Sequence, residues 1–258
     1  MMPASRALIV QFQHALMMLT RLPVGWMGQS DTPPSIAQTV WAYPLVGCLV
    51  GAGGAGALGF GTALGLPAEI CALLAVTGMI FITGALHEDG LADVADGFGG
   101  GRDAAQKLSI MRDSRIGSYG ALALVLGQGL RVMTIAALAR LDLAIAILAL
   151  IGAEAGARAG LAVMLRAMPS ARAQGLGHSA AGVSLGAMIL ALTLGAAALL
   201  ICLGPALGAV VALAIAMAQA GLSWLALRQI GGQTGDVLGA GQQLGAITGL
   251  VAALVWLR

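Results

Sequence analysis

Between residues 185 and 227 the chain reads LGAMILALTLGAAALLICLGPALGAVVALAIAMAQAGLSWLAL, without one charged side chain. Roughly 20 apolar residues at a rise of 1.5 Å each cross the hydrocarbon core of a bilayer. The run therefore holds two crossings, 183–203 and 206–227. The same measure applied outward finds five more, at 36–60, 68–86, 118–139, 143–165 and 240–257. The first of these is Gly-rich and the last begins with Gln242 and Gln243, so these two are the weakest. The pattern predicts an all-α fold, a polytopic membrane helix bundle of six to seven transmembrane helices. No internal repeat or linker divides the chain, and 1–258 reads as a single domain.

Composition agrees. Hydrophobic residues make up 59% and charged residues 9%, with a mean hydropathy of +0.93. A soluble domain carries about 25% charge, so a water-facing surface cannot be built from this chain. With 39 glycines and 4% aromatic residues, the interior is expected to pack helix on helix through small residues. A net charge of +2 is too balanced for a nucleic-acid binder. Cys48, Cys71 and Cys202 lie in apolar runs with no C-x-x-C spacing and read as small buried hydrophobes. The segment 5–22 mixes apolar residues with Arg6, Gln11, Gln13, His14 and Arg21 and has no small-residue cleavage pattern. That argues for an amphipathic helix at the membrane surface rather than a cleaved signal peptide.

Basic residues gather in the cytoplasmic loops of membrane proteins. With seven crossings, Arg6, Arg21, Arg102, Lys107, Arg112, Arg115, Arg166, Arg172 and Arg228 fall on the amino-terminal side. Only Arg140 and Arg258 fall opposite, while Arg131 and Arg158 lie within spans. This split places the amino terminus, and the polar loops 87–117, 166–182 and 228–239, in the cytoplasm.

Six of the eleven acids lie between positions 88 and 113. The core of that stretch is His87-Glu88-Asp89-Gly90-Leu91-Ala92-Asp93-Val94-Ala95-Asp96-Gly97. If the second span continues as helix to Asp96, then Asp89, Asp93 and Asp96 stand at offsets of 0, 4 and 7. At about 100° per residue they fall within roughly 60° of one another. Three like charges on one face repel unless a cation lies among them. Mg²⁺ suits the place, since it takes hard oxygen ligands and is usually held by one or two carboxylates plus substrate phosphates. The plainer alternative is a solvated acidic face. Glu88 is turned about 100° away, as a base, a second ligand or an onlooker.

Arg102, Lys107, Arg112 and Arg115 follow directly. Guanidinium groups suit bidentate contact with phosphate. Carboxylates, a divalent ion and arginines together are what phosphoryl transfer requires, although the same residues also satisfy the topology rule and can pair with neighbouring acids. The third cytoplasmic loop, Gly231-Gly232-Gln233-Thr234-Gly235-Asp236, lets backbone N–H groups approach an anion at a helix start. Its alternative is an ordinary N-cap by Thr234 or Asp236, and it lacks the Lys of a P-loop. The second loop, with Arg172, Gly175, Gly177 and His178, reads only as flexible and basic. Glu154 and Arg158, four apart inside the fourth span, are expected to pair; Arg131 has no partner that the sequence names.

With these strings in hand the chain resembles the cobalamin synthase family, the adenosylcobinamide-GDP ribazoletransferases. The resemblance spans nearly the whole chain and is carried by Leu19-Thr20-Arg21-Leu22-Pro23, Tyr43-Pro44-Leu45-Val46-Gly47, His87 to Gly101, Met111-Arg112-Asp113-Ser114-Arg115-Ile116-Gly117, and Gly231 to Ala240. It implies a Mg²⁺-dependent enzyme of the inner membrane that joins adenosylcobinamide-GDP to α-ribazole or its 5′-phosphate and releases GMP. By resemblance the metal role falls to Asp89, Asp93 and Asp96, with Asp236 as a further contributor, and Glu88 or Asp113 is the candidate base. The arginines and Lys107, with Arg172, Gly231, Gly232 and Thr234, are the candidate phosphate and substrate contacts. A homo-oligomer is left open. A CDP-alcohol phosphotransferase shares Asp93-x-x-Asp96-Gly97, but the Ala-Arg that should follow and the later Gly-x-x-x-Asp-x-x-x-Asp are missing. A cation transporter would hold its acids at midplane rather than at a span end.

Overall fold

A computed structural model describes residues 4–26, 33–172 and 182–258. Helices carry the fold, and among the described residues the one β-type pairing is a single parallel bridge between Ser170 and Gln233. In chain order the helices are α1 (Ala4–Leu19), α2 (Ile36–Thr39), α3 (Tyr43–Ala63), α4 (Ala68–Thr83), α5 (Leu86–Gly100), α6 (Ala104–Ile110), α7 (Ser118–Leu141), α8 (Leu143–Ala167), α9 (Leu185–Ile230) and α10 (Gly235–Trp256). A 3₁₀ turn at Val40–Ala42 joins α2 to α3. Gly175, Gly177 and His178 lie outside the described residues.

Five stretches are long and apolar enough to cross a membrane, namely α2–α3 together, α7, α8, α9 and α10, and α4, which bends into α5, makes a sixth. Helix α9 holds 46 residues, about twice what one crossing needs. It breaks at Gly204, whose φ of 73° and ψ of 175° are not helical. Its two arms then run back along one another: Gly195 of the first packs on Ala159, and Gln219 of the second packs on the adjacent Gly160. Counted as two crossings, α9 brings the bundle to the upper end of the expected range.

Helices α8 and α10 form the centre, with 61% and 67% of their most apolar stretches buried, against 28% for α7 and α9. On α7 the exposed positions Leu122, Val125, Leu126, Leu130 and Met133 recur at helical spacing, an apolar stripe turned to lipid. Small residues set the closest approach, as composition suggested. A Cβ added at Gly47 of α3 would lie 2.4 Å from the carbonyl oxygen of Glu154 in α8, and one at Gly51 would lie 2.7 Å from the Ile151 Cα. Backbone meets backbone there because no side chain intervenes.

One expectation is overturned. The second span does not continue as helix to Asp96. Gly84 (φ 64°) and Ala85 (φ 60°) both adopt the left-handed conformation, and the axis turns by 92° between α4 and α5. Ala85 is the only non-glycine among the described residues with positive φ, an arrangement that costs about 1 kcal/mol or more and needs support from its surroundings. That support includes the Arg21 N–H, which donates to the Ile82 carbonyl at 2.7 Å. The Arg21 side chain lies against Gly84, where a Cβ would meet Nε at 2.4 Å.

Candidate active site

Because α5 starts afresh after the break, its own amphipathicity decides how the acids point. His87, Glu88, Gly90, Leu91, Ala92, Val94 and Gly97 are buried, while Asp89 is exposed and Asp93 and Asp96 are half-exposed. The shared face read from the offsets therefore holds, on a shorter helix than expected. Asp236 joins this face from the start of α10. A Cβ at Gly90 would lie 2.7 Å from the Asp236 carbonyl oxygen, and one at Gly239 would lie 3.3 Å from the His87 Cα. Two glycines facing each other let α5 and α10 touch through their backbones, which draws Asp236 in among the α5 carboxylates.

The electrostatic result centres on Asp93. Burial first, and then the negative charges of Asp89, Asp236 and Asp96, push its carboxyl up to about 7, against the pull of Arg172. A carboxyl so crowded by its own kind marks a place short of positive charge. Arg172 supplies some, with Nη2 3.2 Å from Oδ2 of Asp236. Among the described residues no three acids, histidines or cysteines are gathered closely enough to grip an ion unaided. The donors here are hard oxygens beside open space, which suits Mg²⁺, an ion that keeps waters and takes only one or two carboxylates with substrate phosphates.

Asp96 is used differently. Its Oδ2 accepts from the Gly117 N–H at 2.7 Å and its Oδ1 from the Gly120 N–H at 2.8 Å, so it caps the first turn of α7. The remaining candidates divide in the same way. Asp113 is exposed and bonded to Arg115 at 2.6 Å, and that contact pulls its carboxyl down to about 2, a poor setting for a base. Arg102 and Arg112 are exposed on the same loop, and the Lys107 ammonium is bonded to the Gln229 side chain.

The glycine-rich loop is largely accounted for by packing. Gly231 is the left-handed C-cap of α9. A Cβ at Gly232 would lie 2.2 Å from the Pro169 carbonyl oxygen, and the Gln233 N–H donates to that carbonyl at 2.8 Å. The Thr234 hydroxyl accepts from the Val237 N–H at 3.2 Å, making it the N-cap of α10. The capping alternative weighed for this loop is the one observed.

Glu88 faces the core. It is 6% exposed, its Oε1 accepts from Gln243 Nε2 at 3.0 Å, and it lies 3.6 Å from Arg131 Nη1. Arg131 also pairs with Glu154, which pairs in turn with Arg158 as expected from their spacing. Gln242 donates to Glu154 at 2.9 Å, and Gln243 to Gln242 at 2.9 Å. Arg131 thus has its partners, in Glu154 and Glu88. Gln242 and Gln243 had appeared only as a blemish on the last span; two adjacent amides in an otherwise apolar helix were the signal that polar groups await them inside the bundle.

A family model described as "Cobalamin-5-phosphate synthase" matches residues 11–254. Proteins named adenosylcobinamide-GDP ribazoletransferase are similar along nearly their whole length. The one from Bradyrhizobium diazoefficiens is 44% identical over 96% of this chain and 94% of its own. Its counterpart from Azorhizobium caulinodans is 44% identical over 95% of each, and that from Brucella canis is 40% identical over 93% of this chain and 96% of its own. No solved structure matches.

Proposed function

The chain belongs to the cobalamin-5-phosphate synthase family, and from that premise we propose that it transfers the cobinamide phosphate of adenosylcobinamide-GDP to α-ribazole or its 5′-phosphate, releasing GMP, at the carboxylate face of α5 and α10. A ribose hydroxyl of the acceptor attacks the cobinamide-side phosphorus. The bond from that phosphorus to the bridging oxygen breaks, and the oxygen leaves with GMP. The observation that carries the site assignment is the meeting of Asp89, Asp93 and Asp236 across the Gly90–Gly239 contact, a concentration of negative charge that, among the described residues, Arg172 alone offsets.

Asp89, Asp93 and Asp236 would hold Mg²⁺, with Asp96 adding charge nearby while its oxygens cap α7. A divalent ion bound there neutralises the nonbridging oxygens of a diphosphate and eases departure of the nucleotide. Arg172, beside Asp236, is positioned for a phosphate oxygen. Arg102, Arg112 and Arg115, exposed after the end of α5, offer positive charge to the diphosphate, and Lys107 adds its own by releasing Gln229. The carboxylate face also takes the proton of the incoming hydroxyl. Glu88 holds α5 in place from behind through Gln243.

The excess of basic residues on one side supports a cytoplasmic orientation of this face in an inner-membrane enzyme. A single cysteine introduced as Asp103→Cys should be labelled in inverted vesicles and protected in intact cells; the reverse would turn the topology over. For the reaction, purified protein in detergent with adenosylcobinamide-GDP, α-ribazole and Mg²⁺ should release GMP, and should release nothing comparable from CDP-diacylglycerol. Turnover without compartments separates an enzyme from a transporter. Absence of GMP under these conditions from folded protein would overturn the proposal.

A further inference from the structure

A cavity of about 140 Å³ opens beside the carboxylates, between the end of α1 and the starts of α3, α5 and α10. Its walls are mostly apolar, with Leu19, Leu161 and Leu238 among them, and among the described residues the polar side chains lining it are Tyr43, His87, Asp89 and Asp236. His87 is 2% exposed, and neither of its ring nitrogens has a hydrogen-bond partner. Buried polar groups are nearly always partnered, so an imidazole kept idle in a cavity wall points to a ligand that completes it.

The chemistry of the walls selects among the parts of the two substrates. The apolar interior behind the two carboxylates offers a phosphate no positive charge. A guanine would need several donors and acceptors that Leu and Tyr walls do not offer, and a corrin ring is far too large. Leu- and Ile-lined cavities of about 150 Å³ take up a benzene ring, and this one is open on one side, so a flat fused-ring base enters edge-on. Resting on the function proposed above, we infer that this cavity is the subsite for the aromatic base of the acceptor nucleoside. The His87 ring, turned toward the cavity, pairs with the free ring nitrogen of that base, and the attached ribose emerges at Asp89 and Asp236.

Four variants of the full-length protein test this. Leu161→Trp fills the cavity from α8; Leu86→Trp and Ile36→Trp obstruct it from less buried positions, which tolerate bulk if Leu161→Trp fails to fold; His87→Phe keeps the shape and removes the nitrogens. Each is assayed for the KM of α-ribazole and of adenosylcobinamide-GDP, and for binding of the benzimidazole riboside alone, without donor or metal. The filled variants should raise the α-ribazole KM at least tenfold and weaken riboside binding equally, with the donor KM within twofold of the parent. The parent should prefer benzimidazole riboside over indole riboside, which lacks the free ring nitrogen, by about tenfold, and His87→Phe should abolish that preference. Filled variants that fold and bind the riboside as the parent does would overturn the subsite while leaving the reaction standing. A parent that binds the riboside, loses it on filling and yet never releases GMP would uphold the subsite and sink the reaction. A parent that binds no riboside overturns the subsite.

Discussion

Two charged regions sit back to back in this protein, joined by the peptide bond between Glu88 and Asp89. Behind it, Glu88 and Glu154 face Arg131 and Arg158, two charges of each sign sealed among helices and bridged by Gln242 and Gln243. In front, Asp89, Asp93 and Asp236 face Arg172, the one cation beside them among the described residues. The buried region is complete in itself, as burial demands, since an unpaired charge at membrane depth is expensive. The open region is incomplete, and water lets it remain so until a cation and a diphosphate arrive. Balance marks the part that builds the molecule; imbalance marks the part that works.

The sharpest way to break this contrast is to neutralise one acid on each side. Asp89→Asn or Asp93→Asn should lower GMP release by about a thousandfold, roughly 4 kcal/mol of lost transition-state stabilisation, with the thermal melting of the detergent-solubilised protein not lowered. Full activity in either variant at limiting Mg²⁺ would remove the metal assignment. Glu154→Leu should do the opposite kind of damage. It strands the buried Arg158 guanidinium, leaves Arg131 only its longer contact to Glu88, and should cost about 3–5 kcal/mol of stability, read as a melting temperature well below the parent's.

A smaller effect separates Asp96 from its neighbours. Asp96→Ala removes a cap and should destabilise α7 by about 1–2 kcal/mol, while Mg²⁺ affinity, measured by calorimetry, changes much less than in Asp93→Asn. Equal loss of affinity in the two variants would make Asp96 a ligand after all.

The gentlest test is pH. The folded protein holds a proton on Asp93 up to about 7, above the ordinary aspartate value. Without divalent ion, stability should therefore decline as pH rises from the carboxylate range toward 7, where the folded state must accept a charge that the unfolded chain accepts freely. Mg²⁺ competes with that proton, so its apparent affinity should rise with pH and level off above 7. Asp93→Asn should flatten both curves, and a pH-independent affinity in the parent would contradict the crowding of these acids.

The bundle and the helix face of the acids were legible because both rest on periodicity. Apolar runs of crossing length declare themselves, and Asp89, Asp93 and Asp96 share a face wherever the helix begins. The pairing of Glu154 with Arg158 followed from spacing alone. What stayed hidden depends on contacts between distant segments. Nothing about Gly84-Ala85 announces a left-handed alanine, because the conformation is imposed by Arg21 and the packing around it. Asp96 and Asp113 look like their neighbours until Gly117, Gly120 and Arg115 claim their oxygens. The meeting of Gly90 with Gly239 was invisible for the same reason, although it decides which acids work together.

That meeting also carries a lesson about synthesis. The acids of α5 leave the ribosome long before Asp236, and the surface that draws them into one group belongs to the last helix of the bundle. Until α10 inserts, the nascent chain has the pieces of a site without the site. A product truncated after α9 is then expected to be inert rather than half-active, so the cell meets this chemistry only in finished molecules.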